Sequence, residues 1–253
     1  MIGNLSVVIL AGGRGTRMQS DKPKVLHEIA DKPMVFYSIQ NLSQIVPVEN
    51  IFVVISHQAE LVKETIKKEF ECNFAYQKEP LGTANAFQAA LEVIPDEFKA
   101  VLVVNGDDSA FYSKTTLKKL INSHLDTNST VSVVTLDKDN ETRLGKIFRD
   151  QEGNFLQILE PHEYINLNLE SKETNCGAYI FNLNWAKEKI SEVEKNEKGE
   201  YPITDLPNRA KLENLKVNIF KLQSAREWVG VNTQDDLKKA NEKMQKRSRI
   251  KTQ

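Results

Sequence analysis

Short apolar runs rich in β-branched residues alternate with longer amphipathic stretches through the first 136 residues, and that alternation limits the fold more than any other feature. Strands are expected at Ser6 to Ala11, Ile51 to Ser56, Phe74 to Gln77, Ala100 to Asn105 and Val131 to Leu136. Several are apolar throughout, and a strand with no polar face is covered on both sides, the habit of parallel sheets flanked by helices. Helices are expected between them, at Met34 to Ile45, Leu61 to Phe70, Ala84 to Ile94 and Thr116 to His124. The repeating strand, helix, strand order predicts an α/β fold with a doubly wound, mostly parallel mixed sheet.

Beyond Val131 the strands crowd together, at Phe155 to Glu160, Gly177 to Asn182 and Val217 to Leu222, with helices at Trp185 to Val193 and Gln234 to Gln245. This shift points to a smaller second lobe built onto the same sheet. No stretch reads as a linker, so 1–253 is expected to form a single domain. Its parts would be a lobe over 1–136, a second over 137–232 that returns to the sheet, and a terminal helix with a basic tail over 233–253. The polar stretch from Lys238 onward is expected to fray into a disordered end.

Lys and Arg total 34 against 35 Asp and Glu, a formal net charge of -1. No excess positive field is available to displace phosphate counterions, so a nucleic-acid partner is not expected. The longest apolar runs, such as Val7 to Ala11, are about a quarter of the roughly 18 residues a membrane span needs. No basic segment followed by a long apolar stretch opens the chain, and no secretory leader or membrane partner is expected. Two isolated cysteines, Cys72 and Cys176, make neither a disulfide framework nor a zinc site, which fits a cytoplasmic protein. His27, His57, His124 and His162 have no partners at metal-ligand spacing, and no nucleophilic Ser or Cys stands beside a recognisable base.

Chemistry is concentrated in Leu10-Ala-Gly-Gly-Arg-Gly-Thr-Arg-Met18, directly after the first strand. Three glycines in four residues let the backbone turn tightly and present N–H groups to an anion. Arg14, Arg17, Lys22 and Lys24 add four cations within eleven residues, a density suited to a triphosphate. Known phosphate loops fail on spacing. Met18 stands where a dinucleotide fingerprint needs its third glycine, and no Gly-Lys-Ser/Thr ending is present. Gln77 carries a side-chain amide that can both donate and accept, and Thr83 is placed to cap a helix. The segment Asn105-Gly-Asp107 closes a strand with a carboxylate of the kind magnesium takes, with Asp108 as a competitor.

The glycine loop, continued by Lys22-Pro-Lys-Val-Leu-His27 and Lys32-Pro-Met34, resembles the signature of sugar-phosphate nucleotidyltransferases, in particular bacterial N-acetylglucosamine-1-phosphate uridylyltransferase domains. The likeness runs on through Gln77-Lys-Glu-Pro-Leu-Gly-Thr-Ala84, Asn105-Gly-Asp107, Gly199-Glu-Tyr-Pro-Ile-Thr-Asp205 and Val229-Gly-Val-Asn232. It implies a Rossmann-like sheet and a reaction of UTP with a sugar 1-phosphate, N-acetylglucosamine 1-phosphate first among them, giving UDP-sugar and pyrophosphate. Arg17 and Lys24 would be catalytic. Leu10, Ala11, Gly12, Gly13, Gln77, Gly82 and Thr83 would hold the nucleotide, and Asp107 with Asn232 the magnesium. Gly145, Glu160, Asn175 and Asn232 would face the sugar. Glucose 1-phosphate uridylyl or thymidylyl transfer, and a catalytically silent homologue that binds nucleotide sugars, are the alternatives. Bifunctional members continue into an acetyltransferase β-helix, which is not expected here because no hexapeptide repeat occurs. Departures lie at the sugar end: Leu144-Gly-Lys146 for Tyr-Gly-Arg, Pro161-His-Glu-Tyr164 for His-Lys-Asp-Ala, and Asp108-Ser-Ala110 where Pro-Leu is usual.

Overall fold

The computed structural model describes residues 3–139 and 141–251. Its first half runs β1 (Leu5–Leu10), the two-residue strands β2 (Glu28–Ile29) and β3 (Lys32–Pro33), α1 (Met34–Leu42), β4 (Ile51–Ile55), α2 (Ala59–Lys67), β5 (Asn73–Tyr76), α3 (Thr83–Leu91), β6 (Ala100–Asn105), α4 (Lys114–Asp126) and β7 (Val131–Asp137). The second half adds β8 (Lys146–Arg149), β9 (Phe155–Leu159), α5 (Pro161–Asn166), β10 (Glu173–Asn182), α6 (Leu183–Lys189), α7 (Asp205–Leu212), β11 (Val217–Lys221) and α8 (Gln234–Lys251).

Among the described residues, nine strands make one sheet, with seven in the order β11-β7-β10-β6-β1-β4-β5 and the β8–β9 hairpin leaning off β10. Pairings of β1 with β4 and β6, of β4 with β5 and of β11 with β7 are parallel. β10 alone on this path runs against its two neighbours, β6 and β7. The expected doubly wound, mostly parallel mixed sheet is therefore present. Alternate residues of each central strand feed two cores. Val7, Ile9, Val53, Leu102 and Val104 pack with Ile39 of α1, Ile66 of α2 and Leu120 of α4. Val8, Val54, Val101 and Val103 pack with Phe87 of α3, Ala186 of α6 and Leu206 of α7 on the other face. Burial on both faces is why these strands read as unbroken apolar runs.

Beyond the short β2, β3, β8 and α5, which the sequence pattern did not show, three local features depart from expectation. The strand expected from Gly177 begins at Glu173, because a bulge between Asn175 and Tyr179 interrupts the alternation. Gly177 sits there at φ 67°, and a Cβ would overlap the Asn105 side chain, so the bulge needs glycine. α7 escaped the pattern because of Pro207, which is tolerated in a first helical turn where no intrahelical N–H donor is required. The tail does not fray at Lys238: α8 continues to Lys251, with Ala240 and Met244 buried against Ile29, Met34 and Phe111. No described helix is long and apolar enough to cross a membrane.

Candidate active site

Open α/β sheets take ligands at the carboxyl ends of their strands, beside the point where strand order reverses. β1 has β4 on one side and β6 on the other, so the crevice opens above the ends of β1 and β6. A cleft of about 830 Å³ fills that position. Its lining comes from segments leaving the strand ends on that rim: 10–17 after β1, Gln77 after β5, 105–108 after β6, part of 138–144 after β7 and part of 228–232 after β11.

The backbone leaves the sheet just past Ala11, whose N–H still donates to the Val54 carbonyl at 2.9 Å. A 3-10 turn over Thr16–Met18 drives Met18 fully into the core. Arg17 is thereby aimed across the cleft, and its NH2 donates to Asn232 Oδ1 at 2.9 Å. A second 3-10 turn, Lys24–Leu26, buries Val25 and Leu26 and turns Lys24 into the same space. Lys24 Nζ donates to Asn232 Oδ1 at 2.7 Å and pairs with the Asp107 carboxylate. Asp107 is held from behind, since its carbonyl accepts the Val231 N–H at 3.2 Å. Asn232 is held likewise, its N–H donating to Asp236 Oδ2 at 3.1 Å. Four residues drawn from the beginning, middle and end of the chain thus converge on one point.

That point bears on the metal the family resemblance implies. The Asp107 carboxylate and the Asn232 amide oxygen both face one cationic atom, Lys24 Nζ. A hard divalent ion takes oxygen donors of these two kinds and fills its remaining positions with phosphate oxygens and water, so the donor set fits. Asp108, the competitor, also lines the cleft but is set deeper. It is buried, its Oδ2 accepts from Asn105 Nδ2 at 2.9 Å, and its Oδ1 has no partner among the described residues. Burial, then the neighbouring Asp107 charge, raises its carboxyl well above the ordinary range.

On the α3 side, Gln77 follows β5, its N–H donating to the Ile55 carbonyl at 2.9 Å. Its side-chain NH2 is committed, donating to Gly82 O at 3.2 Å and Asn85 Oδ1 at 2.9 Å. The expected two-way reading of a base edge is therefore reduced to the acceptor, Oε1, which would stand 3.0 Å from a Cβ on Gly12. Gly82, not Thr83, is the N-cap of α3, at φ 111°, and a Cβ there would collide with the Tyr201 backbone. Thr83 is the first helical residue, and its hydroxyl accepts the Ile203 N–H at 2.9 Å. Tyr201 also receives the Ala84 N–H on its carbonyl at 2.9 Å and gives its own N–H to Leu81 O at 2.7 Å. The Gly199–Asp205 motif is in this way stitched to Gly82-Thr83.

Through the same motif the cleft continues to Glu160, just past β9, where it caps α5 rather than closing the strand. Its Oε1 accepts from Thr204 Oγ1 at 2.9 Å, and burial raises its carboxyl. Gly145 and Asn175 do not line the cleft. The Gly145 carbonyl accepts the Asn175 N–H at 2.9 Å, while the Asn175 side chain is spent on Tyr179 OH at 2.6 Å and on the Gly177 N–H at 3.1 Å. Leu10, Ala11, Gly12, Gly13, Arg17, Lys24, Gln77, Gly82, Thr83, Asp107, Glu160 and Asn232 all line it. The sequence reading missed Lys138, Glu141, Arg143, His162, Lys198, Glu200 and Trp228, which line it too. One signal was available: Lys138 to Arg143 is a charged run at the carboxyl end of an apolar strand.

A nucleotidyl transferase family model matches residues 6–247. The chain is 36% identical over 246 residues to the bifunctional protein GlmU of Exiguobacterium sibiricum, covering 97% of this chain and 54% of that one. It is 35% identical to bifunctional protein GlmU of Clostridioides difficile, covering 96% of this chain and 52% of that one. The chain thus spans about half the length of these relatives. A solved structure described as a glucose-1-phosphate thymidylyltransferase from Bacillus anthracis superimposes with a TM-score of 0.74 at 20% identity, covering 94% of each chain. HddC from Yersinia pseudotuberculosis, complexed with GMP-PN, superimposes with a TM-score of 0.69 at 24% identity, covering 94% of this chain and 99% of that one. At these identities the two structures speak for the fold.

Proposed function

The chain belongs to the nucleotidyl transferase family, and from that premise we propose that it joins a nucleoside triphosphate, UTP first, to a sugar 1-phosphate, releasing pyrophosphate. The observation that carries this is the convergence of Arg17, Lys24, Asp107 and Asn232 above the ends of β1 and β6. Four polar side chains aimed at one point leave little for a silent binding homologue to explain. N-acetylglucosamine 1-phosphate is the preferred acceptor, on the strength of the motif likeness to uridylyltransferase domains.

The glycine loop over Leu10 to Gly13 presents backbone N–H groups to the triphosphate. Gln77 Oε1 accepts from an N–H of the base, and Gly82 with Thr83 flanks it. An acceptor phosphate oxygen attacks the α-phosphorus in line, and the bond to the pyrophosphate breaks as the new one forms. The attacking group is already an anion, so no side chain needs to remove a proton. Positioning and charge neutralisation supply the rate enhancement, as in other phosphoryl-type transfers. Arg17 and Lys24 neutralise charge that builds on the phosphates, and Asp107 and Asn232 would hold a magnesium ion. When bound, that ion supplies further neutralisation of phosphate oxygens.

The test crosses five nucleoside triphosphates with common sugar 1-phosphates on the full chain and reads pyrophosphate release. Release with UTP and N-acetylglucosamine 1-phosphate above all other pairs is expected. Release with another pair reassigns the substrates, and none with any pair overturns nucleotidyl transfer.

A further inference from the structure

A second set of cations lines the cleft, on the segment that follows β7 rather than on the glycine loop. Lys138 immediately follows β7, with its N–H on the Lys172 carbonyl at 2.9 Å and its own carbonyl 3.5 Å from the buried Lys146 Nζ. Glu141 is 7% exposed and accepts three bonds, from Lys138 Nζ at 2.8 Å, the Arg143 N–H at 2.9 Å and Arg143 Nε at 3.3 Å. Burial alone would raise its carboxyl; the bonds from Lys138 and Arg143 more than offset this and hold it down to about 2. Lys138 Nζ also lies 5.2 Å from the Trp228 ring centre, and Trp228 Nε1 is anchored on the Cys176 carbonyl at 2.9 Å. Arg143 NH1 comes within 4.0 Å of Asp236 Oδ2, the oxygen that receives the Asn232 N–H.

A buried carboxylate has therefore gathered two half-exposed cations and set them on the cleft wall beside Asn232. Both cationic side chains stay about half exposed beside the buried Glu141, so the pairing leaves them open to a ligand in the cleft. The glycine loop and the Gln77 wall belong to the triphosphate. An in-line attack needs the second phosphate on the opposite side, and two phosphates approach closely only if charge is neutralised from both directions. We propose that Lys138 and Arg143 bind the phosphate of the acceptor sugar 1-phosphate, with Glu141 as the positioning residue that sets both cations before substrate arrives. The inference rests on the nucleotidyl transfer proposed above and names the protein groups that receive its second substrate.

The test is steady-state kinetics on the full chain with its best substrate pair. Arg143→Ala should raise the acceptor KM at least tenfold and leave the triphosphate KM within twofold. Lys138→Ala should do the same more weakly. Glu141→Gln should follow Arg143→Ala, and Glu141→Asp should recover part of the loss. The acceptor KM of the unaltered protein should climb with salt more steeply than that of Arg143→Ala. Calorimetry supplies a readout that packing damage would not move: the unaltered protein should prefer the sugar 1-phosphate to the same sugar without phosphate, and Arg143→Ala should lose that preference. An unchanged acceptor KM, or equal rises in both constants, would overturn the assignment while nucleotidyl transfer stood. If Glu141→Gln does not fold, the two exposed cations still decide the matter. Absence of turnover with any acceptor in the unaltered protein would bring down the parent reading and this one together.

Discussion

The two walls of the cleft are built on different principles. The glycine-loop wall is made of backbone: its shape follows from tight turns after β1 and β6, and its charged groups hang from short 3-10 turns whose neighbours, Met18, Val25 and Leu26, are buried. The facing wall is made of side chains that hold other side chains, with Glu141 gathering Lys138 and Arg143, and Thr204 holding Glu160. A wall of backbone tolerates little change in sequence, because turn geometry dictates residue type. A wall of side chains can be re-spaced without disturbing the sheet behind it. The first wall is suited to chemistry and the second to selecting what the chemistry acts on.

If that division holds, damage to the first wall should appear in turnover. Arg17→Ala and Lys24→Ala should each lower kcat by two or more orders of magnitude, about 3 kcal/mol or more of transition-state stabilisation. Both groups project into the cleft rather than the core, so the melting temperature should shift by less than about 3 °C. Wild-type turnover in Arg17→Ala would break the comparison at its strongest point.

The next largest effect lies where the walls share a support. Gly177 on β10 is wedged under Asn105 of β6, which in turn holds Asp108 at 2.9 Å. Gly177→Ala forces an L side chain into φ 67° and against that amide, which should cost about 2–3 kcal/mol in urea unfolding. A Gly177→Ala protein as stable as its parent would mean the bulge is soft and the two walls are not rigidly joined.

The sequence made the first wall legible and the second largely illegible. Glycine spacing, proline and cationic residues near Leu10 to Lys24 are local signals, and the glycines, Arg14, Arg17 and Lys24 line the cleft, while Lys22 is spent on Glu28 at 3.0 Å. Asn232 was legible only through the family likeness, because its partners Arg17 and Lys24 lie more than two hundred positions away. Gly145 and Asn175 were carried over by the same likeness, yet here they support the cleft from behind. Lys138, Glu141 and Arg143 escaped because their one local signal, a charged run at the end of an apolar strand, is shared by many solvated loops; the direction of β7 within the sheet is what puts them on the rim. The expected two-way contact of Gln77 failed for a similar reason, since the competing acceptor Asn85 is visible only once α3 is in place.

A smaller effect should sharpen the comparison through pH. The second wall hangs on β7, and a buried histidine of α4 bonds it: His124 Nδ1 lies 2.8 Å from Ser132 Oγ. Burial lowers the His124 pKa from 6.5 to about 4. The unfolded chain therefore takes up a proton that the folded one refuses between those values, and stability is lost as pH falls through that window. The full shift would be worth about 3 kcal/mol, and partial solvent access brings the expectation to about 2 kcal/mol. His124→Asn should flatten the dependence between pH 7 and pH 5, measured by denaturant unfolding. If it does not, the acid sensitivity of the second wall comes from elsewhere.

The smallest effect separates selection from chemistry within the second wall itself. Glu160 sits where β9 gives way to α5, and Thr204 Oγ1 holds one of its oxygens at 2.9 Å. Glu160→Gln keeps an oxygen for that hydroxyl and keeps the volume, so the change removes charge and little else. A carboxylate accepting a bond from a neutral sugar hydroxyl gains about 1.4 kcal/mol over a neutral acceptor, within the range for hydrogen bonds to charged groups and equal to about tenfold in KM. The acceptor KM should rise by that factor, with the triphosphate KM and kcat nearly unchanged. Because burial raises the Glu160 carboxyl, it should lose its charge on acidification at a higher pH than an ordinary glutamate. The acceptor KM of the parent should then climb as pH falls into that region, while that of Glu160→Gln stays flat. Equal movement of both Michaelis constants would make Glu160 a frame residue, since a distorted rim disturbs both substrates while a lost acceptor contact disturbs one.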